Sequence, residues 1–243
     1  MAKAFDKRID LSEARKSWSG IFDESTILSI NKLMKKGFVK DVGGVAKEGK
    51  ESIVLAGIGS EGYVAIKVYA VNASKFKRME TYIFGDKRFS KIKKDRRSVI
   101  FAWCRKEFSN LKLAFGKGVN CPEPLAFHNN VLVERFVGHY PTPAPRLSDC
   151  IHSALDWTEL FKSVLEQMKK MNMAGIVHGD LSEYNMLYWE GNPWIIDLSQ
   201  GVLLSHPDAH EFLERDVKNV CSFFRKLGVD CKETEAMSVI END

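Results

Sequence analysis

The pattern of hydrophobic and polar positions in the first half of the chain is typical of β-strands from residue 38 to residue 70, with a helical pattern on either side. A helical spacing of apolar residues occurs near the start and stops at Gly37, a residue type that commonly follows a helix end. Runs rich in Val, Ile and Tyr come next, separated by glycines that favour turns. The patterns of this half predict a helix over 23–36, a β-like region over 38–70 with strands at 52–56 and 63–69 around a turn at 57–62, a helix over 98–115, and a buried strand over 131–137.

Amphipathic helical patterns dominate the second half. A proline-rich stretch over residues 140–146 ends the β-like half. Two short apolar runs then flank a turn, and a proline suited to the first turn of a helix precedes the last helical pattern. The patterns of this half predict a helix over 155–173, strands at 186–189 and 194–198 around a turn at 190–193, and a last helix from about Pro207 to just before Gly228.

The order of these elements predicts an α+β protein with two lobes. A β-rich half, a connecting strand and a helical half follow one another without a low-complexity linker. We place an N-terminal arm and helix at 1–41, an N-terminal lobe with a hinge at 42–137, and a C-terminal lobe at 138–243. The 243 residues are sufficient for two small lobes that share a cleft.

Composition excludes several other classes of protein. Hydrophobic residues make up 44% and charged residues 28%, which is ordinary for a globular chain, and no apolar run approaches the ~18 residues that span a bilayer. The charged N-terminus has no apolar signal region, so secretion is not expected. The five cysteines are scattered and form no C-x-x-C pair, which argues against a disulfide framework and against a zinc site. We therefore expect a cytoplasmic protein without membrane contact.

The strongest chemical motif is the run His-Gly-Asp-Leu-Ser-Glu-Tyr-Asn at residues 178–185. It has the H-x-D-x-x-x-x-N form of a kinase catalytic loop. Such a loop needs a carboxylate that accepts or orients the acceptor hydroxyl group, and five residues later an amide oxygen that reaches a Mg²⁺ ion on the phosphates. Asp180 and Asn185 supply these groups at the required spacing.

Three further charged residues fit the same chemistry. Asp197 follows the apolar run Trp-Ile-Ile, where an aspartate of kinases holds Mg²⁺ and where an unpaired charge would be costly. Lys67 ends a Val-Ala-Ile-Lys strand, whose lysine contacts the α- and β-phosphates of ATP. Glu107, on the next predicted helix, is the natural partner that steadies Lys67.

Two glycine-containing segments have different interpretations. Residues 57–62 fit G-x-G-x-x-G, but a strand follows where a dinucleotide-binding motif requires a helix, so we interpret them as a hairpin turn. Residues 48–52 are the better candidate for a segment that covers the phosphates. Gly49 permits close approach of the backbone, and Lys50 and Ser52 can donate to phosphate oxygens.

Each of these residues alone has an ordinary structural explanation. A lysine at a strand edge, a solvated glutamate on a helix, an aspartate in a turn and an asparagine at a helix cap are all commoner than catalytic groups. The catalytic interpretation depends on the motifs occurring in the required order with workable gaps. Together they predict an ATP-dependent phosphotransferase that uses Mg²⁺, with Mn²⁺ as an alternative ion.

With these residues in place, the sequence resembles the RIO family of atypical serine/threonine protein kinases, and its Rio1 branch above all. The resemblance covers residues 42–224, and ordinary kinases lack the L-S-E and S-Q parts of its motifs. The motifs are H-G-D-L-S-E-Y-N at 178–185, I-D-L-S-Q at 196–200, A-I-K-V-Y at 65–69, C-P-E-P at 121–124 and G-K-E-S at 49–52. Two positions depart from the family pattern: Lys47-Glu48 replaces the usual Ser-Thr, and Glu134 stands before the hinge where an apolar residue is expected.

The resemblance implies a two-lobed protein-kinase-like fold with a β-rich N-terminal lobe and a reduced helical C-terminal lobe that lacks the activation loop. It implies that adenine pairs with the backbone of Arg135 and Val137. The other implied roles are Asp180 as proton acceptor, Asn185 and Asp197 as Mg²⁺ ligands, and Lys67 on the nucleotide phosphates. Asp197 has also been proposed in this family to accept phosphate as an aspartyl intermediate, which implies ATPase activity.

Residues 71–97 are crowded with Lys and Arg and contain several aromatic residues. One interpretation is a solvated, mobile loop. The other is a surface that docks on ribosomal RNA or an acidic partner, since clustered basic residues with interspersed aromatic residues are typical of nucleic-acid contacts. The resemblance implies a role in maturation of the small ribosomal subunit. The aromatic residues concerned are Phe76, Tyr82, Phe84 and Phe89.

Three functional hypotheses remain open from the sequence. The first is a RIO-type kinase or ATPase that phosphorylates protein hydroxyl groups or itself. The second is a small-molecule kinase of the aminoglycoside or choline type, which shares H-G-D-x-x-x-x-N but carries a larger helical C-terminal region. The third is a nucleotide-gated assembly factor that docks on RNA without turnover.

Overall fold

The computed structural model describes residues 22–49, 51–71, 79, 82–83, 86–89 and 91–242. The helices are α1 (Glu24–Lys35), α2 (Arg96–Gly116), α3 (Trp157–Met173), α4 (Ala209–Lys226) and α5 (Glu233–Glu241), with short 3₁₀ helices at Lys87–Phe89 and Leu147–Asp149. The strands are β1 (Asp41–Glu48), β2 (Ser52–Gly59), β3 (Gly62–Tyr69), β4 (Pro124–His128), β5 (Val131–Arg135), β6 (Gly138–His139), β7 (Thr142–Pro143), β8 (Ile176–Val177), β9 (Met186–Trp189), β10 (Asn192–Ile195) and β11 (Val202–Leu203).

The first half of the chain forms a five-stranded antiparallel sheet in the order β1-β2-β3-β5-β4. Residues Val64 to Tyr69 of β3 are buried, as expected for the central strand of a covered sheet. Helix α1 packs on this sheet through Ile30 and Leu33, which share an apolar cluster with Val64. The proposed boundaries at 41 and 137 stay predictions.

The second half is mainly helical, and it also contains three short two-stranded sheets, which pair β6 with β7, β8 with β11 and β9 with β10. Helices α3, α4 and α5 pack together, with Phe161 and Phe224 in ring contact between α3 and α4 at 5.2 Å. After Asp197 the chain passes through a turn and β11 and then enters α4 at Ala209. No long segment therefore lies between Asp197 and α4, where an activation loop would be found.

Most predicted elements are present within a few residues of their predicted bounds; one predicted strand is too long, and several short elements were not predicted. The helix α5 that follows the last predicted helix and the strand β4 were not predicted; both are short, so they give little periodic signal. The strand predicted over 194–198 ends at Ile195, because Asp197 adopts a left-handed conformation with φ of 62°.

The glycines of residues 57–62 lie in the hairpin between β2 and β3, which confirms the hairpin interpretation, although the turn is shorter than predicted. Gly57 and Gly59 belong to β2, and only Ser60 and Glu61 form the turn. A Cβ atom at Gly57 would lie 2.8 Å from the Asp41 carbonyl oxygen. Close approach of the backbone, and not phosphate binding, explains this glycine.

The described part of the basic segment 71–97 is only partly solvated. Tyr82 and Phe89 are buried in the main core, so these two rings are not exposed for stacking on RNA; Phe76 and Phe84 lie outside the described residues. Asp86 is also buried and pairs with Arg88 at 2.6 Å. The basic residues from 91 to 97 are exposed, so in the described part of the segment charge rather than aromatic rings is presented to a partner.

All five cysteines are buried and carry free thiols. Burial raises the pKa of the thiol groups of Cys104, Cys121 and Cys150. The sequence predicts no disulfide framework, and the free thiols agree with that prediction.

Among the described residues, no helix combines the length and the apolar character that a bilayer crossing requires.

We expect Gly57→Ala to lower the free energy of unfolding by about 1–3 kcal/mol, because the new Cβ atom overlaps backbone and side-chain atoms in the sheet. Gly44→Ala is the matched control in the same sheet, since a Cβ atom there meets nothing within 4 Å. It should change the free energy by less than about 0.5 kcal/mol. Urea denaturation of both variants measures the difference, and equal effects would contradict the packing argument.

Candidate active site

A cavity of about 700 Å³ lies between the sheet and the helical half. This volume is in the range of sites that bind nucleotide-sized ligands. Most of the predicted site residues line it; Glu107 lies just behind it, and Lys50 lies outside the described residues. The predicted residues that line the cavity are Ser52, Lys67, Arg135, Val137, Asp180, Asn185 and Asp197.

Lys67 joins the two sides of the cavity at its back. Its ammonium group lies 2.7 Å from Glu107 Oε1 on α2 and 2.9 Å from Asp197 Oδ1 on the loop after β10. The predicted contact between Lys67 and Glu107 is therefore present. Tyr69, two residues along β3 on the same face, donates its hydroxyl hydrogen to Glu107 Oε2.

Burial and the neighbouring charges shift the pKa values of Lys67 and Glu107 in opposite directions. Burial would lower the pKa of Lys67, but Asp197 and Glu107 raise it above its ordinary value, so Lys67 is an ammonium ion at all physiological pH values. Burial raises the pKa of Glu107, and the charge of Lys67 opposes that rise. Since a single lysine faces two carboxylates, the cluster has a net negative charge whenever both acids are ionised.

The carboxylate of Asp197 is held in an ionised state and remains accessible. Burial would raise its pKa, but the charge of Lys67 and hydrogen bonds from Lys67 and Ser199 bring the pKa well below its usual range. Ser199 Oγ donates to the same oxygen, Oδ1, at 2.8 Å. The side chain is still 41% exposed towards the cavity, so Asp197 can accept a further ligand.

The catalytic-loop residues face the same cavity. Gln200 Nε2 donates to Asp180 Oδ2 at 2.7 Å, which orients that carboxylate. Asn185 Nδ2 donates to the Asp180 carbonyl oxygen at 2.9 Å. Because the amide nitrogen is used in this way, the Oδ1 atom of Asn185 is the atom that remains for a metal ion.

Several residues that support this loop were not predicted. Asp216 on α4 is buried and accepts hydrogen bonds from the amides of Gly179 and Leu181 at 2.7 and 2.8 Å. Arg215 donates to the Gly179 carbonyl oxygen. The sequence does contain a signal for Asp216. It lies between Leu213 and Val217 on the apolar face of a predicted helix, and a charged residue at such a position needs buried partners.

The hinge offers one backbone amide to a ligand. Arg135 N donates to Glu123 O at 2.8 Å, whereas in the described chain no acceptor is found for Val137 N. The Arg135 side chain points away, to Glu123 and to the Glu61 carbonyl oxygen. A planar heteroaromatic ring at this edge of the cavity can therefore pair with the amide of Val137.

The hairpin between β1 and β2 closes one side of the cavity. Lys47, Gly49 and Ser52 line it, and Gly49 N donates to Ser52 O at 3.0 Å. A Cβ atom at Gly49 would lie 3.2 Å from that carbonyl oxygen, so glycine suits the tight turn. The hairpin therefore lies beside the cavity, and the prediction that it covers phosphates stays a prediction.

A metal ion at this site would need oxygen atoms from a bound phosphate compound or from water in addition to those of the protein. Among the described residues no group of three or more His, Cys, Asp or Glu side chains could hold an ion alone. Asp197 and Asn185 supply one carboxylate and one amide oxygen, which suits Mg²⁺ because it is usually held by one or two protein groups together with phosphate oxygens and water.

Glu134 is the unusual charged residue of the cavity. It lies on β5 opposite Ala65 and lines the cavity between Lys67 and the hinge. Burial raises its pKa to about 7; Lys67 opposes this and Asp197 adds to it. An ionised Glu134 would be the third carboxylate facing Lys67, and below about pH 7 the neutral form of Glu134 is favoured in the folded chain.

We expect stability to fall as Glu134 ionises. Its pKa is higher in the folded chain than the ordinary 4.5, so the stabilisation is complete below pH 4.5 and is lost as the pH rises through about 7. Glu134→Gln removes this dependence, so its stability relative to the original chain should rise by about 3 kcal/mol as the pH increases from 4.5 to 8. Urea denaturation at both pH values tests it, and a difference that does not change with pH would contradict it.

Comparisons with known proteins agree with this site. A family model described as the RIO domain matches residues 46–237. The RIO-type serine/threonine-protein kinase Rio1 of Haloferax volcanii is 39% identical over 240 residues, which cover 98% of this chain and 82% of the relative. The protein of the same name from Methanocaldococcus jannaschii is 41% identical over 227 residues, covering 93% and 77%.

Solved structures confirm the predicted fold class. The Rio2 kinase of Chaetomium thermophilum, in a complex with ADP, Mg²⁺ and phosphoaspartate, superposes with a TM-score of 0.67 at 21% identity, over 89% of this chain and 66% of that chain. A second Rio2 structure from the same organism gives a TM-score of 0.67 at 20% identity, over 89% and 68%. The fold is therefore the two-lobed α+β kinase fold, and the chain belongs to the RIO kinase family, on its Rio1 branch.

Proposed function

We propose that this protein transfers the γ-phosphoryl group of ATP to serine or threonine hydroxyl groups of a protein, including its own chain. One observation carries the proposal: Lys67 joins Glu107 and Asp197 in the cavity that also contains Asp180 and Asn185. The names of the Rio1 relatives, which are serine/threonine-protein kinases, support the same reaction.

The cavity offers separate positions for the parts of the nucleotide. Adenine stacks between the sheet and the helical half, and its edge pairs with the backbone amide of Val137 and the backbone carbonyl group of Arg135. The phosphates lie towards Lys67, under the hairpin that carries Gly49 and Ser52. Lys67 already forms its ion pair with Glu107, so it is held in position before the nucleotide arrives.

The donor set fits Mg²⁺, with Asp197 and Asn185 as the protein ligands. When bound, Mg²⁺ neutralises charge on the phosphates and orients them for transfer. Asp197 suits this role because its carboxylate stays ionised, and Asn185 because its Oδ1 atom is left available by the contact of Nδ2 with Asp180. The Rio2 structure in complex with ADP and Mg²⁺ is consistent with this choice of ion.

Asp180 orients the acceptor hydroxyl group and takes its proton. In the transfer, the hydroxyl oxygen forms a bond to the γ-phosphorus atom, the bond from that phosphorus atom to the β,γ-bridging oxygen breaks, and ADP leaves. The hydroxyl proton passes to Asp180, whose carboxylate Gln200 holds towards the cavity. Lys67 stabilises the charge that develops on the phosphates.

Asp197 can also serve as a transient acceptor. In that route a carboxylate oxygen of Asp197 attacks the γ-phosphorus atom, ADP leaves, and water later releases phosphate, which amounts to ATP hydrolysis. Lys67 and Ser199 both bind Oδ1, so the other oxygen is the one directed to the nucleotide. The Rio2 structure that contains phosphoaspartate supports the chemistry as a property of a relative with this fold.

We expect Asp180→Ala to lower the rate of phosphoryl transfer by about 10²–10⁴-fold, because the acceptor hydroxyl group loses its base. Nucleotide affinity should change by less than about twofold, since Asp180 is not needed to hold the phosphates. Transfer of radiolabelled phosphate to the protein measures the rate, and fluorescence titration with a nucleotide analogue measures affinity.

Asp197→Asn provides the contrasting variant. Asp197→Asn should abolish the increase in nucleotide affinity that Mg²⁺ causes, together with activity, because a metal ligand is lost.

Nearly full transfer by the Asp180→Ala variant would contradict the role of Asp180 as the base. If the unaltered protein itself shows no Mg²⁺-dependent transfer or ATP hydrolysis, the proposed function is wrong.

The exposed basic residues of segment 71–97 support a finer proposal, that the protein docks on RNA of the small ribosomal subunit. Lys91, Lys93 and Arg97 are exposed, and Arg97 makes only a 3.5 Å contact with Asp23. Since the rings of Tyr82 and Phe89 are buried, the exposed basic residues are the described groups of this segment that can contact RNA, through its phosphates.

We expect the affinity for a small-subunit RNA fragment to fall steeply as salt increases, and more steeply than in a Lys91→Gln, Lys93→Gln, Arg97→Gln variant. Each phosphate contact removed should reduce the slope of log K against log salt by about 1. Lys162→Gln, Lys169→Gln, Lys218→Gln is a control with equal charge change on other helices. A flat salt response, or equal slopes for both variants, would contradict docking through this segment.

A further inference from the structure

Helix α2 carries three polar residues that are almost completely inaccessible to solvent. Lys106, Glu107 and Asn110 are exposed by 0%, 1% and 0%, respectively. Glu107 contacts Lys67, as described above. Lys106 and Asn110 have no part in the proposed chemistry, and a buried ammonium group is costly unless its hydrogen bonds have a structural purpose.

Lys106 and Asn110 bind the backbone of the loop that follows Asp197. Lys106 Nζ donates to Ser199 O at 3.0 Å and also to Gly201 O. Asn110 Nδ2 donates to Leu198 O at 2.9 Å and to Gly201 O at 2.8 Å. Two side chains of one helix therefore hold three of the four carbonyl groups in residues 198–201, those of Leu198, Ser199 and Gly201.

The loop is tight, so its position is well defined. Gly201 N donates to Leu198 O at 3.1 Å, which closes a turn. A Cβ atom at Gly201 would lie 3.0 Å from Asn110 Nδ2 and 3.1 Å from the Leu198 and Val177 carbonyl oxygens. Close contact between the helix side chain and the loop backbone is therefore built into the packing.

The side chains of this loop orient both catalytic carboxylates. Ser199 Oγ donates to Asp197 Oδ1 at 2.8 Å, and Gln200 Nε2 donates to Asp180 Oδ2 at 2.7 Å. A shift of the loop backbone would move both donors together. The separation between the metal-binding carboxylate and the base thus depends on where α2 holds residues 198–201.

Lys106 and Asn110 are themselves supported from the other side. Arg88 Nη2 donates to Asn110 Oδ1 at 2.9 Å and pairs with the buried Asp86. Lys106 lies 5.6 Å from the ring of Trp103 and 5.9 Å from that of Tyr82, where an ammonium group is attracted to the ring face. Burial lowers the pKa of Lys106 to about 7, yet either protonation state retains hydrogens to donate to the loop.

We propose that Lys106 is a positioning residue for phosphoryl transfer, which fixes the loop 198–201 and through it the Mg²⁺-binding geometry of Asp197 and the orientation of Asp180. The proposal rests on the proposed function of Asp197 as a metal ligand. Helix α2 then holds both ends of the site, with Glu107 fixing Lys67 and with Lys106 and Asn110 fixing the loop.

The test is Lys106→Met, which preserves length and removes the donors. Lys112→Met is the matched control, because Lys112 is an exposed lysine on the same helix. We expect Lys106→Met to raise the Mg²⁺ concentration for half-maximal transfer by about 10–100-fold. The affinity for ADP in the presence of EDTA should stay within about twofold, because the hinge and Lys67 are unchanged.

A second readout does not depend on turnover. The gain in ADP affinity on adding Mg²⁺, measured by calorimetry, should shrink in Lys106→Met and persist in Lys112→Met. A folded Lys106→Met variant with unaltered Mg²⁺ dependence in both measurements overturns the proposal. An unaltered protein that shows no Mg²⁺-dependent transfer would instead overturn the proposed function, so the two failures are distinct.

Asn110→Ala provides a second test in case the Lys106→Met variant is not folded, which the lack of a cooperative unfolding transition on heating would reveal. It removes the two other donors to the loop and leaves Lys106 in place. The same rise in the Mg²⁺ requirement, with unchanged ADP affinity in EDTA, supports the proposal. Loss of thermal stability with an unaltered Mg²⁺ requirement would show that these residues serve packing alone.

Discussion

The cluster formed by Lys67, Glu107 and Asp197 is the constraint on which the rest of the site depends. Apolar packing organises each side of the cavity, but at its back the two sides meet through one ammonium group and two carboxylates. A buried charge that loses its partner costs several kcal/mol, so sheet, helix and loop are held at one separation. The cavity therefore has a defined depth before any nucleotide binds.

The same principle extends outward from this cluster. Each catalytic carboxylate lies on a segment whose backbone is held by buried polar side chains of a helix: Asp216 of α4 holds the amides around Asp180, and Asn110 of α2 holds the carbonyl groups beyond Asp197. Irregular backbone leaves amide and carbonyl groups without ladder partners, and these groups must be satisfied when buried. Helix side chains satisfy them here, and in doing so they give two loops the precision of regular structure.

Local patterns predicted most of the fold and the core of the site, because their information is contained in short spacings. The Val-Ala-Ile-Lys strand and the Asp180 to Asn185 spacing each occupy a few residues, and the pairing of Lys67 with Glu107 followed from strand-then-helix order. The support from Lys106 and Asp216 was not predicted, since their partners are backbone groups far away in the chain, at residues 179 to 201. Periodicity marks such residues only as polar positions on buried faces and does not identify the loop that they contact.

The burial of every cysteine has a practical consequence for spectroscopy. A thiolate is the form that reacts with maleimide and methanethiosulfonate reagents. The native thiols are both inaccessible and, for Cys104, Cys121 and Cys150, raised in pKa. One cysteine introduced on α1 and another on α3 would therefore take up paired probes without removal of the native residues, and the distance between the probes would report whether nucleotide binding changes the separation of the two halves.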